Sequence, residues 1–349
     1  MPTLNKVAQL RKYAEQFCRI RSVSDLATAL HTPSHVLMLW GLQPSYKTFA
    51  VPKKDGSFRH IEDPDPALKK IQRSLNDYLQ SCYFCQRTQA AYGFLINPAD
   101  DPDPRNILTN AQRHAGKDWL LNVDFEDFFH SVSDHTVCNV FLSDRFSFDH
   151  ETAELLTRLT TRNARLPMGA PTSPILSNFA SIDLDHDLLA FANTRHWTYT
   201  RFADDLTFSS DNPIDWYSVL EIRALTHTHG FTFNEEKFRL CSPSAEKSVT
   251  GLALVGDKVC LPTAFLSDLA AEIAKLRSVV EIQHRAGKPP AKWVEDFKAQ
   301  LQGHLRFASF VLGDDHPDYR RSLQAFEAAT EPPSGFDAVS WLSFGYEGF

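Results

Sequence analysis

Two adjacent carboxylates, Asp204 and Asp205, interrupt the β-favouring run RFADDLTFSS (201–210), with Tyr199, Phe202, Leu206 and Phe208 close on either side. Asp-Asp pairs in surface turns are common, so this pair alone says little. A third carboxylate changes its weight. Asp124 lies near the end of the apolar run WLLNVDF (119–125), where a strand delivers side chains to the edge of a sheet. Three carboxylates on a strand end and a hairpin tip can converge on two Mg²⁺ ions. Hard oxygen ligands suit Mg²⁺, which keeps waters and substrate phosphates in its shell. Nucleotidyl transfer uses such a pair, one ion acidifying the attacking 3′-hydroxyl and the other neutralising the triphosphate and the leaving pyrophosphate.

Positioning these groups needs a specific set of elements. WLLNVDF reads as a buried strand followed by a helical DFFHSV (127–132), and residues 197–210 read as extended with a tight turn at their middle. Helices are expected over 150–163, 174–192 and 214–229, the last stopped by Gly230. Ahead of them, residues 3–40 read as short helices with apolar spacing at Leu26, Leu30, Leu37 and Trp40. Tyr46–Ile61 reads as a hairpin turning at Asp55-Gly56, and 66–80 as a helix opened by Pro66 with Leu68, Ile71, Leu75 and Leu79 on one face. Asn97–Arg105, rich in Pro and Asp, reads as an exposed loop. Beyond Gly251 the strand-like LALVGDKVCLP leads into a helical tail, where Trp293, Phe297, Leu301 and Leu305 predict a core-facing stripe. The fold class expected from this irregular mixture is α+β, with a helical C-terminal part.

The segments VDFEDFF (123–129), LPMGAPTSPILSNF (166–179) and FADD (202–205) resemble three catalytic motifs of the reverse transcriptases, in that family's order. GFTFNEEKF (230–238) resembles the motif that follows, and VPKKDGSFRHI (51–61) the fingers motif. The likeness spans roughly residues 46–310. It implies a right-hand polymerase, with fingers and palm around an antiparallel sheet and a helical thumb. The implied segments are an N-terminal helical part (1–45), fingers and palm (46–262), and a helical thumb with the C-terminal tail (263–349). It further implies that Asp124, Asp204 and Asp205 are the catalytic metal ligands, joined by the backbone carbonyl of Phe125, and that two Mg²⁺ ions are the cofactor. Phe129 falls where the family places a bulky side chain against the sugar 2′ position, excluding ribonucleotides; plain core packing is the alternative. Lys53 and Arg59 match cations that grip the incoming deoxynucleotide, with Lys54 beside them, and Met168, Gly169 and Lys237 complete the expected nucleotide pocket. Two departures stand out: Phe202 replaces the commoner tyrosine, and Met168 the commoner glutamine.

Two shorter signatures narrow the resemblance. Asn110-Ala111-Gln112-Arg113-His114 has the form NAxxH, and Val249-Thr250-Gly251 is a VTG triplet after Lys237. As a pair at these positions they resemble the bacterial retron reverse transcriptases. That likeness implies Asn110, His114, Val249, Thr250 and Gly251 as RNA-binding residues. It also implies a cognate noncoding RNA as template and primer, a branched RNA–DNA product (msDNA) started from a guanosine 2′-hydroxyl, and a separately encoded effector in defence against phage. Another bacterial reverse transcriptase is the nearest rival, and the chain shows no intron-type maturase or endonuclease extension. An RNA-binding scaffold with a vestigial polymerase is the rival from another class; loss of an aspartate would have favoured it, and all three are present.

Composition is compatible with this reading. The net charge of −7 argues at first against a nucleic-acid partner, but it is unevenly spread. Residues 1–75 hold 12 Lys/Arg against 6 Asp/Glu, whereas residues 76–215 hold 10 against 20. A basic end beside an acidic middle suits phosphate-binding cations in one place and metal-binding carboxylates in another. No apolar run approaches the ~18 residues of a membrane span, and the opening MPTLNKVAQLRKYAEQF lacks a signal-peptide pattern. The six cysteines form no framework, and Cys82/Cys85 has zinc-like spacing without a second pair. A reduced, cytoplasmic protein without a membrane partner is expected.

Overall fold

The computed structural model describes residues 6–53, 56–285 and 291–330. Lys54 and Asp55, expected at the hairpin turn, lie outside the described residues, as do residues 331–349 of the tail. The chain divides into two compact units, residues 1–250 and 251–349.

The first unit opens with α1 (Lys6–Cys18), α2 (Val23–Ala29) and α3 (Ser34–Leu42). Leu26, Leu30 and Leu37 are buried as their spacing predicts, and these helices share one hydrophobic core with the rest of the unit. The hairpin follows as β1 (Tyr46–Pro52) and β2 (Phe58–Pro64), paired antiparallel from Tyr46↔Pro64 to Pro52↔Phe58. Helix α4 (Pro66–Gln86) starts at Pro66, capped by the Asp65 carboxylate, which accepts a hydrogen bond from the Ala67 amide. Leu68, Ile71, Leu75 and Leu79 all face the core.

The Pro- and Asp-rich stretch after α4 is a loop, yet it is not exposed throughout. Asp101 and Arg105 are buried, Asp101 because Arg87 grips it with two hydrogen bonds of 2.8 and 2.9 Å. Pairing removes most of the penalty for burying such charges. Then come α5 (Ile107–Gln112) and β3 (Trp119–Asp124). The expected helix over DFFHSV is a turn instead. Asp127 has a left-handed φ of +44°, and the Glu126 amide donates to the Thr232 carbonyl, not into a helix.

Helices α6 (Asp134–Leu142), α7 (His150–Thr160), α8 (Ser173–Ala180) and α9 (Ile182–Thr194) precede the hairpin β4 (Thr198–Phe202)–β5 (Asp205–Ser210). Helix α10 (Trp216–Thr228) and β6 (Arg239–Cys241) complete the central antiparallel sheet and its cover, in strand order β4-β5-β3-β6. Alternate positions of its middle strands, Leu121, Val123, Leu206 and Phe208, enter the core. The unit closes with β7 (Lys247–Val249), packed on α5.

The second unit holds a short hairpin, β8 (Leu252–Val255) and β9 (Lys258–Cys260), and α11 (Thr263–Arg285), α12 (Lys292–Leu312) and α13 (Pro317–Thr330). These three helices bury a separate core of Leu269, Ile273, Leu276, Val294, Leu301, Leu305, Phe326 and Ala329. The predicted stripe on α12 is shifted at its start. Trp293 is 55% exposed and the adjacent Val294 is buried in its place. Over the roughly three turns from Trp293 to Leu305 the 3.6-residue period drifts away from a strict spacing of four, so the first position leaves the buried face.

Candidate active site

The three aspartates are brought together by strand pairing. The antiparallel register of β3 with β5 sets Asp124 directly opposite Asp205, and a two-residue turn, Ala203–Asp204, joins β4 to β5. The Phe125 amide donates to the Asp204 carbonyl at 3.0 Å, which ties the turn to the end of β3. Asn234 donates its amide to the Asp124 carbonyl at 2.8 Å, and Lys237 follows on a single 3-10 turn (Glu235–Lys237). From there its Nζ reaches both carboxylate oxygens of Asp124 at 2.8 Å.

Packing three acids so closely has an electrostatic consequence. Burial, then a hydrogen bond with Asp124 and the charges of both neighbours, pushes Asp205 up to about 8. Burial and the Asp124 charge also raise Asp204, with Lys237 and Arg59 acting against them. Partial burial opposes the charge on Lys237, but the contact with Asp124 prevails and raises its pKa. The cluster therefore carries more negative charge than it holds comfortably, and a lysine ammonium already compensates part of it. That is a donor set suited to a hard divalent cation. Among the described residues no three His, Cys, Asp or Glu side chains form a ready-made cage. Mg²⁺ does not require one, since substrate phosphates and waters fill most of its shell. The Phe125 carbonyl accepts no hydrogen bond among those described, so its lone pairs are available.

A set of residues that sequence reasoning missed lies directly behind the turn. Arg201 is completely buried and donates from Nε and Nη2 to the two oxygens of Asp185 on α9, both at 2.8 Å. Its Nη1 donates to Asn178 Oδ1 on α8 at 3.0 Å and to the Ala203 carbonyl at 3.1 Å. Asp185 also accepts from Tyr199 Oη and Thr88 Oγ1, so the buried charge pair is fully solvated by protein. Ala203 has φ +60°, a strained value for a residue with a Cβ. The guanidinium thus holds the carbonyl of the strained residue that presents Asp204. The one signal in the sequence was an arginine inside the β-favouring run Thr198–Phe202.

On the nucleotide side, Phe129 is half-buried and stacks on Phe94, with ring centroids 5.7 Å apart and planes at 30°. Met168 is half-buried, and its carbonyl accepts from the Glu62 amide at 2.7 Å, joining β2 to the segment before α8. Gly169, with φ +129°, lets them approach: a Cβ there would lie 2.8 Å from Ile61 Cγ2 and 3.0 Å from the Glu62 carbonyl oxygen. Arg162 reinforces the junction through Glu62 Oε1 at 3.0 Å. Lys53 and Arg59 are exposed on the hairpin, and Arg59 is close enough to offset part of the rise at Asp204.

The residues expected to touch RNA fare differently, three of the five being buried. His114 is 0% exposed, with Nδ1 2.7 Å from Ser209 Oγ and Nε2 2.7 Å from Thr200 Oγ1. Burial, helped by Arg113, holds its pKa down at about 3, so it is a neutral brace between β4 and β5. Asn110 and Val249 are also buried. Their side chains do not reach a surface where RNA could meet them. Thr250, with φ +49°, donates its hydroxyl to the Ile107 carbonyl at 3.1 Å. The NAxxH helix and the Thr250 turn are therefore one packed junction. Gln112, Arg113 and Gly251 are the exposed members of the two motifs.

Comparison with known proteins gives the family. A family model described as reverse transcriptase (RNA-dependent DNA polymerase) matches residues 51–265. The retron Ec86 reverse transcriptase of Escherichia coli is 28% identical over 309 residues, covering 85% of each chain. The retron Mx65 reverse transcriptase of Myxococcus xanthus is 32% identical over 332 residues, covering 87% of this chain and 71% of its own. Among solved structures, telomerase from Candida albicans in complex with a fragment of telomeric RNA superposes with a TM-score of 0.50 at 11% identity. It covers 91% of this chain and 68% of that one, a likeness of fold alone. With the family model matched over more than half its length and several retron enzymes aligned with most of it, the chain belongs to the reverse transcriptases, RNA-directed DNA polymerases, and among them to the retron enzymes.

Proposed function

We propose that Asp124, Asp204 and Asp205, with the Phe125 carbonyl, hold two Mg²⁺ ions. Around them deoxynucleotides are added to a primer hydroxyl on an RNA template. The observation that carries this reading is the in-register pairing of Asp124 with Asp205, with the Lys237 ammonium already seated on Asp124. When bound, the ions would supply an acidified primer hydroxyl and neutralisation of the triphosphate. Lys53 and Arg59 grip the phosphates from the hairpin, while Met168 and Gly169 border the pocket where the hairpin meets the segment before α8. Lys237 balances the acidic cluster between turnovers. Phe129 stands against the sugar 2′ position and excludes ribonucleotides.

The substrate is the enzyme's own structured noncoding RNA, copied in part into a branched RNA–DNA molecule from a guanosine 2′-hydroxyl. The product and a separately encoded effector serve defence against phage in the cytoplasm. Recognition of the RNA lies at the junction of α5 with Thr250. Buried Asn110, His114 and Val249 shape that surface, and exposed Gln112 and Arg113 supply contacts of the shape-reading kind that structured RNA requires.

Asp204→Asn and Asp205→Asn test the site. Each should lower primer extension about 100-fold or more, the scale of losing one preorganised stabilising group, while circular dichroism stays that of the parent. Near-parental extension by either folded variant would remove the assignment. A branched RNA–DNA molecule copurifying with the parent and missing from the variants tests the product. A linear product would point to another reverse transcriptase chemistry.

A further inference from the structure

Close to the aspartates, the bulkiest residue in a left-handed backbone conformation is Phe94, with φ +60°. Large side chains are seldom found there, and such outliers persist only where the surroundings over-determine them. Three anchors do so. Gln80 on α4 donates its Nε2 to the Phe94 carbonyl at 2.9 Å, and its Oε1 accepts from the Ile96 amide at 3.2 Å. Asn178 on α8 donates its Nδ2 to the Gly93 carbonyl at 2.9 Å. Gly93 itself lies against the catalytic turn, where a Cβ would be 2.4 Å from the Ala203 nitrogen.

The strained backbone has one visible result. It sets the Phe94 ring against Phe129, the residue taken as the sugar gate, in an offset stack with planes at 30°, while Phe128 sits on Phe129 at 5.7 Å with planes tilted by 46°. Phe94 also borders a cleft of about 750 Å³, along with Ile96, Pro171 and Pro174. The ring is half-buried, packed on one side against the main core and open on the other to the cleft, with the backbone anchors fixing its direction. A gate that excludes a hydroxyl by collision discriminates only as far as it resists being pushed aside.

We propose that Phe94 is a specificity-determining residue of this polymerase: held by Gln80, Asn178 and the close approach of Gly93 to the catalytic turn, its ring keeps Phe129 from yielding to a ribonucleotide. The inference rests on the gate reading of Phe129. Phe94 is a positioning residue, acting on the substrate only through Phe129.

The test is the ratio of kcat/KM for a deoxynucleotide over the matching ribonucleotide, measured with the full chain on an annealed primer and RNA template. Phe94→Gly deletes the ring while relaxing the left-handed backbone, which offsets part of the lost packing, so the fold should be kept, as circular dichroism would show. The ratio should drop about three- to tenfold, the fold-change equivalent of one aromatic contact, with deoxynucleotide kcat within about twofold of the parent. Gln80→Ala should shift the ratio in the same direction, and Phe94→Tyr should restore it. An unchanged ratio in Phe94→Gly, or equal losses with both nucleotides, overturns the inference. Phe129→Ala is run beside it. If Phe129→Ala lowers the ratio and Phe94→Gly does not, the gate stands and only the support fails. If Phe129→Ala leaves the ratio unchanged, the gate reading falls and the inference falls with it.

Discussion

At the scale of single residues, the buried histidine makes a pH-dependent prediction that separates brace from RNA contact. His114 titrates at about 3 in the folded protein against an ordinary 6.5. A folded pKa below the unfolded one means that folding favours the neutral ring. Its contribution is therefore complete above 6.5 and drains away as the pH falls toward 3. Within that window the unfolded chain binds one proton more, a slope of about 1.4 kcal/mol per pH unit. Denaturant unfolding between about pH 6 and pH 5 should give the parent a slope that exceeds that of His114→Gln, which cannot titrate, by about this amount, the other titrating groups, Asp205 among them, contributing equally to both. An equal slope in both proteins would mean that the ring is protonated, and hence solvated, in the native state. The same substitution should weaken the link between Thr200 and Ser209, so extension on an unrelated RNA template should fall along with extension on the cognate one.

At the scale of elements, the β4–β5 hairpin depends on a charge pair that neither strand can satisfy by itself. Arg201 and Asp185 are both fully shielded from solvent, and Asp185 outweighs the cost of burial to raise the guanidinium pKa well above its usual value. Removing one partner strands a buried charge, so Asp185→Leu should cost about 3–5 kcal/mol in chemical denaturation. Replacing both, as Arg201→Met with Asp185→Leu, should recover most of that loss, because a well-packed apolar pair substitutes for a buried ion pair at little cost. The double variant still lacks the donor to the Ala203 carbonyl, so its polymerisation rate should stay below the parent's although its stability returns. Recovery of both together would show that the pair only fills space. No recovery of stability would show that the surrounding acceptors, Asn178 and the Ala203 carbonyl, demand the guanidinium itself.

At the scale of the whole molecule, two hydrophobic cores without a shared residue imply two cooperative transitions. Leu206 belongs to the larger core and Leu301 to the C-terminal one, and both are fully buried. Each truncation to alanine should cost about 2–5 kcal/mol, from lost transfer energy and a cavity. Calorimetry should show Leu301→Ala lowering one transition and Leu206→Ala the other. A single transition moved equally by both would mean that the units fold as one body.

What the sequence determined by itself was local in origin. The apolar run ending at Asp124, the paired aspartates between β-favouring strands, and the amphipathic face of α4 all depend on neighbours a few residues away. Periodicity and turn chemistry read those directly. The register of β3 with β5 was not among them, since β5 is buried on both faces and no single apolar face selects how the two strands pair. The tertiary structure decided the rest. Lys237 meets Asp124 across 113 positions and Gln80 meets Phe94 across 14, distances over which no periodic pattern carries information. NAxxH looks the same whether its polar groups face RNA or the core, and only the packing of α5 and the central hairpin showed His114 and Asn110 to be inside. DFFHSV became a turn where the Glu126 amide pairs with the distant Thr232 carbonyl, whereas Trp293 left its stripe through the helical period itself, which a strict spacing of four misread.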